Sequence, residues 1–180
     1  FSHRAFQRNV GLRSGFYGNA ILSHFPLHDL RDLDLTVPFK KKRRALIARC
    51  RLTIDDHTRT VLLFNVHLGL AGYERAIQLR RFLLCDTLKH AHHQTPVIIA
   101  GDFNDVWGRL GRRLLGPAGF RSACGRTRTF PAMMPMRPLD RIFFRGELEN
   151  VHHFASHTEN ARQASDHLPM VADFLVTRPD

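Results

Sequence analysis

Between residues 45 and 67 the chain carries two strand-like runs back to back, and this pair restricts the fold more than any other feature. In residues 45–54 the polarity alternates, with Leu46, Ala48, Cys50, Leu52 and Ile54 on one face and Arg49, Arg51 and Thr53 on the other. A period of two belongs to a strand with one wet face. Residues 60–67 (TVLLFNVH) are almost wholly apolar, as a central strand covered on both faces would be. Asp55-Asp56-His57 lies between the two runs and reads as a hairpin connection.

The rest of the chain must be built around that sheet. Residues 17–23, 97–100, 139–145 and 170–176 read as further strands. Residues 74–93 read as one helix: Ala76, Leu79 and Leu83 recur at three and four, as do Ile77, Leu84, Leu88 and Ala91. Pro38, Gly116-Pro117, Pro131, Pro135 and Pro138 mark loops. Strands outnumber helices, and a helix lies between two of them. The expected class is α/β (α+β), a sandwich of mixed sheets. A length of 180 residues favours one domain over residues 1–180. No apolar run approaches the ~20 residues that a membrane-spanning helix needs.

Charge narrows what such a fold would meet. Lys and Arg number 27 against 16 Asp and Glu, a net charge of +11. That field favours nucleic acid, phospholipid headgroups or other phosphoesters, unless it is only a generally basic surface. Lys40 to Arg44 (KKKRR) could contact phosphates or a membrane surface, or be a solvated loop or strand entrance. Cys50, Cys85 and Cys124 match no CxxC pattern and read as free thiols, two of them among apolar neighbours. The implied compartment is reducing, which points to the cytoplasm; a monomer is the separate expectation for the oligomeric state.

Four places could carry chemistry. The strand at 97–100 runs into Gly101-Asp102-Phe103-Asn104-Asp105. If the backbone stays extended there, Asp102 and Asn104 share a side and can hold a hard cation, a water or a phosphate oxygen. The competing reading is an Asx turn that caps the next helix. Asp166 and His167 precede the last strand, as a hard-metal ligand and a general acid or base. A loop carboxylate beside a surface imidazole is the alternative. His67 ends the central run, where a packing or surface histidine is equally at home. Asp140 stands inside an apolar run and needs a partner, either a histidine or an arginine such as Arg141. His92-His93 and His152-His153 have no convincing metal spacing and read as surface residues. There is no Walker-type loop, no GxSxG and no GxGxxG.

Taken together, these segments resemble the endonuclease/exonuclease/phosphatase superfamily, with its DNase I-like fold. Tyr17-Gly18-Asn19-Ala20-Ile21-Leu22-Ser23, Asn65-Val66-His67-Leu68, Gly101-Asp102-Phe103-Asn104, Leu139-Asp140-Arg141-Ile142 and Ser165-Asp166-His167 occur in the family's order over nearly the whole chain. The strings His67-Leu68-Gly69-Leu70 and Arg128-Thr129-Phe130-Pro131 are similar to small bacterial members encoded beside cardiolipin synthases.

The resemblance implies a two-sheet mixed β-sandwich flanked by helices, with the site at one end. It implies that His167 activates or steers the attacking water, or stabilises the phosphoryl charge. Asp140 would fix its tautomer. Asp166 would bind a metal, Mg²⁺ with Mn²⁺ as a substitute. Asp102 and Asn104 would position water and phosphate, with a second cation there if one binds. His67 would donate to the phosphate. Arg75, on the first turn after the His67 strand, could reach a phosphate or simply lie on the helix surface.

One departure matters. The family begins with a strand carrying an Asn, a helix, and a strand ending in Gln-Glu, whose Glu is a main metal ligand. Nothing before Tyr17 matches these elements, so the chain reads as N-terminally truncated, with a weakened metal site. The implied activity is phosphoester hydrolysis, on nucleic acid or on a lipid or small phosphoester. The competing class is a basic anion-binding module that is catalytically silent in this form.

Overall fold

The computed structural model describes residues 1–13, 15–54 and 57–176. Strands β1 (His3–Leu12), β2 (Gly15–Ser23), β3 (Leu27–Asp34), β4 (Arg44–Ile54) and β5 (His57–His67) come first, followed by helices α1 (Gly72–Leu83) and α2 (Asp86–Lys89). Then come β6 (Val97–Asp102), α3 (Leu110–Leu115), β7 (Arg121–Ser122), β8 (Asp140–Arg145), β9 (Leu148–Ala155), α4 (Glu159–Ala164) and β10 (Met170–Val176). The turn expected at Asp55 and Asp56 lies outside the described residues. The strands it would join pair antiparallel out to Ile54 and His57.

The two runs between residues 45 and 67 form β4 and β5, inside a six-stranded sheet of order β3-β4-β5-β6-β8-β7. Among the described residues only β5 and β6 pair in parallel, as their connection through α1 and α2 allows. One face of this sheet carries Ala45, Ile47, Leu62, Phe64, Val66, Val97, Ile99 and Phe143 into a core shared with Leu79, Phe82 and Leu115 of the helices. Two hairpins cover the other face. The β9–β10 pair covers Ile98, Ile142 and Phe144 with Met170, Ala172, Phe174 and Val176. The β1–β2 pair lies over β3, β4 and β5 through buried amides. Gln7 Nε2 donates to Asp32 Oδ1 at 2.7 Å and to the Ala45 carbonyl at 3.0 Å, and Asn19 Nδ2 donates to the Arg44 carbonyl at 2.8 Å. The chain is thus the expected mixed sandwich with flanking helices, and its second layer comes as two hairpins.

Three local expectations need correction. First, β4 has a wet face only from Arg49 onward. At Ala45 and Ile47 the same face is buried against the helices, so the strand's first half is covered on both sides. Second, the helix expected over 74–93 stops at Leu83. Cys85 is extended, with ψ 144°, and a short second helix restarts at Asp86. The buried stripe of α1 is Arg75, Gln78, Leu79 and Phe82, and one more turn would put Asp86 and Lys89 on it. Breaking the helix keeps both charges out of the core and buries Leu88 instead. Third, that stripe is largely polar, so apolar periodicity misplaced the inward face.

β1, β3 and β9 gave no apolar signal. β1 turns Gln7 and Asn9 inward beside Ala5. β3 is an edge strand rich in charge (LHDLRDLD) and mostly exposed, which discourages pairing with other chains. All three cysteines are free, with Cys50 and Cys124 buried and Cys85 half-buried. Among the described residues no helix is long and apolar enough to cross a membrane.

Candidate active site

Register alone builds the centre of the site. His67 at the end of β5 sits opposite Asp102 of β6, and Asp102 sits opposite Asp140 of β8. Three polar residues therefore stand in one row across three adjacent strands. They share a face with Asn65, Ala100 and Ile142, the face that the hairpins cover. Tyr17 of β2 closes the row at one end and His167, three residues before β10, at the other.

The Asp140–His167 end is tightly determined. His167 Nδ1 lies 2.8 Å from Asp140 Oδ2, so Nδ1–H donates to the carboxylate and Nε2 is left free. Thr129, fully buried, donates to the same oxygen at 2.5 Å. The Thr129 carbonyl accepts from the Leu168 amide at 2.8 Å and fixes the Asp166-His167 turn. The Phe130 ring packs against the imidazole, with centroids 4.9 Å apart. Burial opposes protonation of His167. The hydrogen bond and charge of Asp140, with the charges of Asp102 and Asp166, outweigh burial and raise its pKa above the usual histidine value.

The His67 end has the opposite electrostatics. Tyr17 Oη lies 2.5 Å from Nδ1, and Nε2 faces Asp102 Oδ2 at 3.5 Å. Burial, helped by the positive charges of Arg43 and His167, pushes His67 down to about 4. The ring is therefore neutral near pH 7: Tyr17 donates to Nδ1, and Nε2–H points to the carboxylate at more than good hydrogen-bond distance. Burial also raises Asp102 above the usual carboxylate range, with Asp140 adding to the rise against the Asn104 amide. Two histidines in one site are driven apart, one toward the charged form and one toward the neutral.

A depressed folded pKa has a consequence for stability. The folded state holds His67 neutral, whereas the unfolded chain titrates near the ordinary value of about 6.5. The contribution is complete above that value and is lost as pH falls from about 6.5 toward 4. Melting curves across this window should show a shallower acid loss in His67→Asn than in the parent. Equal slopes would mean that His67 is not held neutral.

Asp102 and Asn104 do not share an extended backbone. Asn104 is in the left-handed region, φ 50°, and its amide donates to Asp102 Oδ1 at 2.8 Å. This is an Asx turn. Asn104 Nδ2 donates to the Leu68 carbonyl at 3.0 Å, tying the turn after β6 to the turn after β5. Phe103 between them is buried in the main core, and Asp105 caps α3 by accepting from the Leu110 amide at 2.7 Å. Asp166 is exposed, and its charge acts on both Tyr17 and His167. Arg75 is spent differently. Its guanidinium donates to the Gly69 and Leu70 carbonyls and lines a cavity with Asp105, Trp107, Arg109 and Arg113, apart from the row.

Tyr17, Thr129 and Arg43 received no role from sequence reasoning. The first two stand in quoted motif strings, and that was the only signal. Arg43 was one member of a basic run, yet it is buried beside His67 while Lys41 and Lys42 stay exposed.

Residues 2–167 match the Endonuclease/Exonuclease/phosphatase family. The chain belongs to this family of phosphoester hydrolases. It is 33% identical over 178 residues to the "Uncharacterized protein YbhP" of Escherichia coli (strain K12), covering 96% of this chain and 68% of that protein. Among solved structures it is similar to a mannosyl-6-phosphatase of Bacteroides thetaiotaomicron VPI-5482, with TM-score 0.73, 16% identity and 96% and 77% of the two chains covered. It is also similar to D. rerio TDP2 complexed with single strand DNA product, with TM-score 0.69, 22% identity and 96% and 77% covered. At these identities the two structures show the fold alone.

Enzymes of this family generally use divalent metals. Among the described residues no three His, Cys, Asp or Glu side chains group into a metal cage. Asp102 and Asp166, both acting on Tyr17 and His167, offer two carboxylates. Two carboxylates fit a hard divalent cation that keeps several waters and completes its shell with substrate phosphate.

Proposed function

We propose that this chain hydrolyses phosphoester bonds, with phosphodiesters the preferred class, by in-line attack of water. The single observation that carries this reading is the hydrogen-bonded Asp140–His167 pair, set beside a second carboxylate, Asp102, and a neutral imidazole, His67. Asp140 holds Nδ1–H of His167, which leaves Nε2 to take the proton of a water as its oxygen bonds to phosphorus. The P–O bond to the leaving group then breaks, and the leaving oxygen takes the proton that His167 Nε2 received from the water and becomes an alcohol. His67 can turn its Nε2–H from Asp102 to a non-bridging phosphate oxygen. Asp102 orients the water, and Asn104 keeps Asp102 and the turn after His67 in place. Asp166 with Asp102 would hold Mg²⁺ or Mn²⁺, which when bound supplies Lewis-acid stabilisation of the phosphoryl charge. Arg75 in this reading pins the turn behind His67. No serine, cysteine or threonine nucleophile is required.

The whole of residues 1–180 acts as a single domain in this proposal. A substrate phosphate backbone would meet a basic surface, whether from nucleic acid or from phospholipid headgroups. Plasmid DNA and phospholipid vesicles, each incubated with the protein and Mg²⁺, separate the options. We expect nicking of DNA that disappears in Asp102→Ala. Cleavage of phospholipid alone would replace the nuclease with a lipid phosphoesterase. Retention of either polyanion with no cleavage would leave only the silent binding module.

A further inference from the structure

A cavity of about 660 Å³ opens beside the row, lined by Asn9, Tyr17, Lys41, Lys42, Arg43 and His67 among others. Its volume is that of a small-ligand site. Among the described residues no carboxylate lines it. Tyr17 and His67 line this cavity and also stand in the catalytic row, so the cavity and the row adjoin and one ligand could reach into both. Three consecutive cations on one side give it a strongly anion-favouring character.

Two of its side chains are more than nine-tenths buried and unsatisfied. Arg43 is 8% exposed, and its Nε has no partner among the described residues. Asn9 is 7% exposed, and neither Nδ2 nor Oδ1 has a partner among the described residues. The backbone explains how an asparagine comes to be there. β1 and β2 pair Arg8 with Gly18 and then Val10 with Tyr17, so Asn9 is the extra residue of a β-bulge. A bulge takes its residue out of the ladder and re-aims the side chain. Buried polar groups are costly when unpaired, and orphans facing a cavity mark places where a ligand completes the bonding.

We infer that this cavity is a subsite for a second phosphate of the substrate, borne on a carbon skeleton that carries a hydrogen-bond donor, next to the phosphate that is cleaved. Arg43, Lys41 and Lys42 take the phosphate oxygens, and Asn9 Nδ2 adds a further donor. Asn9 Oδ1 needs a donor in return, which the dianion of a phosphate monoester lacks on its phosphoryl oxygens and a sugar or polyol hydroxyl or a base N–H supplies. The inference rests on the hydrolytic reading for the meaning of "substrate", while the binding itself can be measured without turnover.

Glycerol 3-phosphate and thymidine 5′-phosphate serve as probes, with inorganic phosphate as reference. The side-chain amide signals of Asn9 are followed by nuclear magnetic resonance and assigned by their loss in Asn9→Ser. We expect those signals to move on titration, with one of the two organic phosphates binding roughly tenfold more tightly than inorganic phosphate. Tighter glycerol 3-phosphate points to a lipid headgroup, and tighter thymidine 5′-phosphate to nucleic acid. Lys41→Ala/Lys42→Ala, both at exposed positions, and Arg43→Gln should each weaken binding by about tenfold or more. Asn9 signals that do not move, or equal affinities in the parent and the Lys41→Ala/Lys42→Ala protein, would overturn the subsite. His167→Ala separates the two proposals: it removes hydrolysis but leaves the Asn9 response. Binding in a protein that hydrolyses nothing would leave the subsite standing and the hydrolytic reading refuted.

Discussion

Replacing His167 with Ala should lower phosphodiester turnover by roughly 10²–10⁴-fold, the usual worth of a positioned general acid or base. The effect should fall on kcat, because Nε2 is needed when the water proton moves and contributes little to holding substrate. The fold should tolerate the change. The ring is about a quarter exposed, and the contacts it loses are one hydrogen bond to Asp140 and the Phe130 face. Asp140 keeps its Thr129 donor, so no carboxylate is stranded. A turnover rate near that of the parent would remove His167 from the reaction.

Gly101→Ala should have the largest effect on stability. Gly101 has φ 137°, a region that residues with a Cβ rarely adopt. A Cβ there would stand 2.0 Å from the Val66 carbonyl oxygen, which belongs to the backbone of the neighbouring strand and cannot swing aside. The cost is about 3 kcal/mol or more, a fall of roughly 10 °C in melting temperature for a chain of this size. The site should suffer with the fold, because Gly101 sets the register that puts Asp102 between His67 and Asp140. Thermal melts of the parent and variant decide the matter. A variant melting with the parent would show that β6 can be re-routed.

The sheet was legible because its middle strands are long and apolar and end in polar residues. His67 and Asp102 close such runs and Asp140 opens one, so the residues that mark the strand ends also form the row. Gly101 was visible as punctuation, though not as the reason that Asp102 lies level with its neighbours. Tyr17 and Thr129 were hidden because their partners lie 50 and 11 residues away and hydroxyls are common in any chain. Arg43 was hidden within a charge run whose other members are solvated. Helix α1 misled because the residues that grip the turn behind His67 are Glu74, Arg75 and Gln78, which no apolar stripe records. The Asp102–Asn104 spacing misled as well. Local hydrogen bonding won over extension, and the Asx turn serves the site rather than competing with it.

The most direct measurement is hydrolysis of bis(4-nitrophenyl) phosphate in water enriched in oxygen-18, with Mg²⁺ present. Attack of water on phosphorus, with His167 taking its proton, puts the label into 4-nitrophenyl phosphate and leaves the released 4-nitrophenol unlabelled. Label in the nitrophenol would mean cleavage on the carbon side. A release rate no greater than that of His167→Ala would mean that the row from His67 to His167 is not a hydrolytic centre.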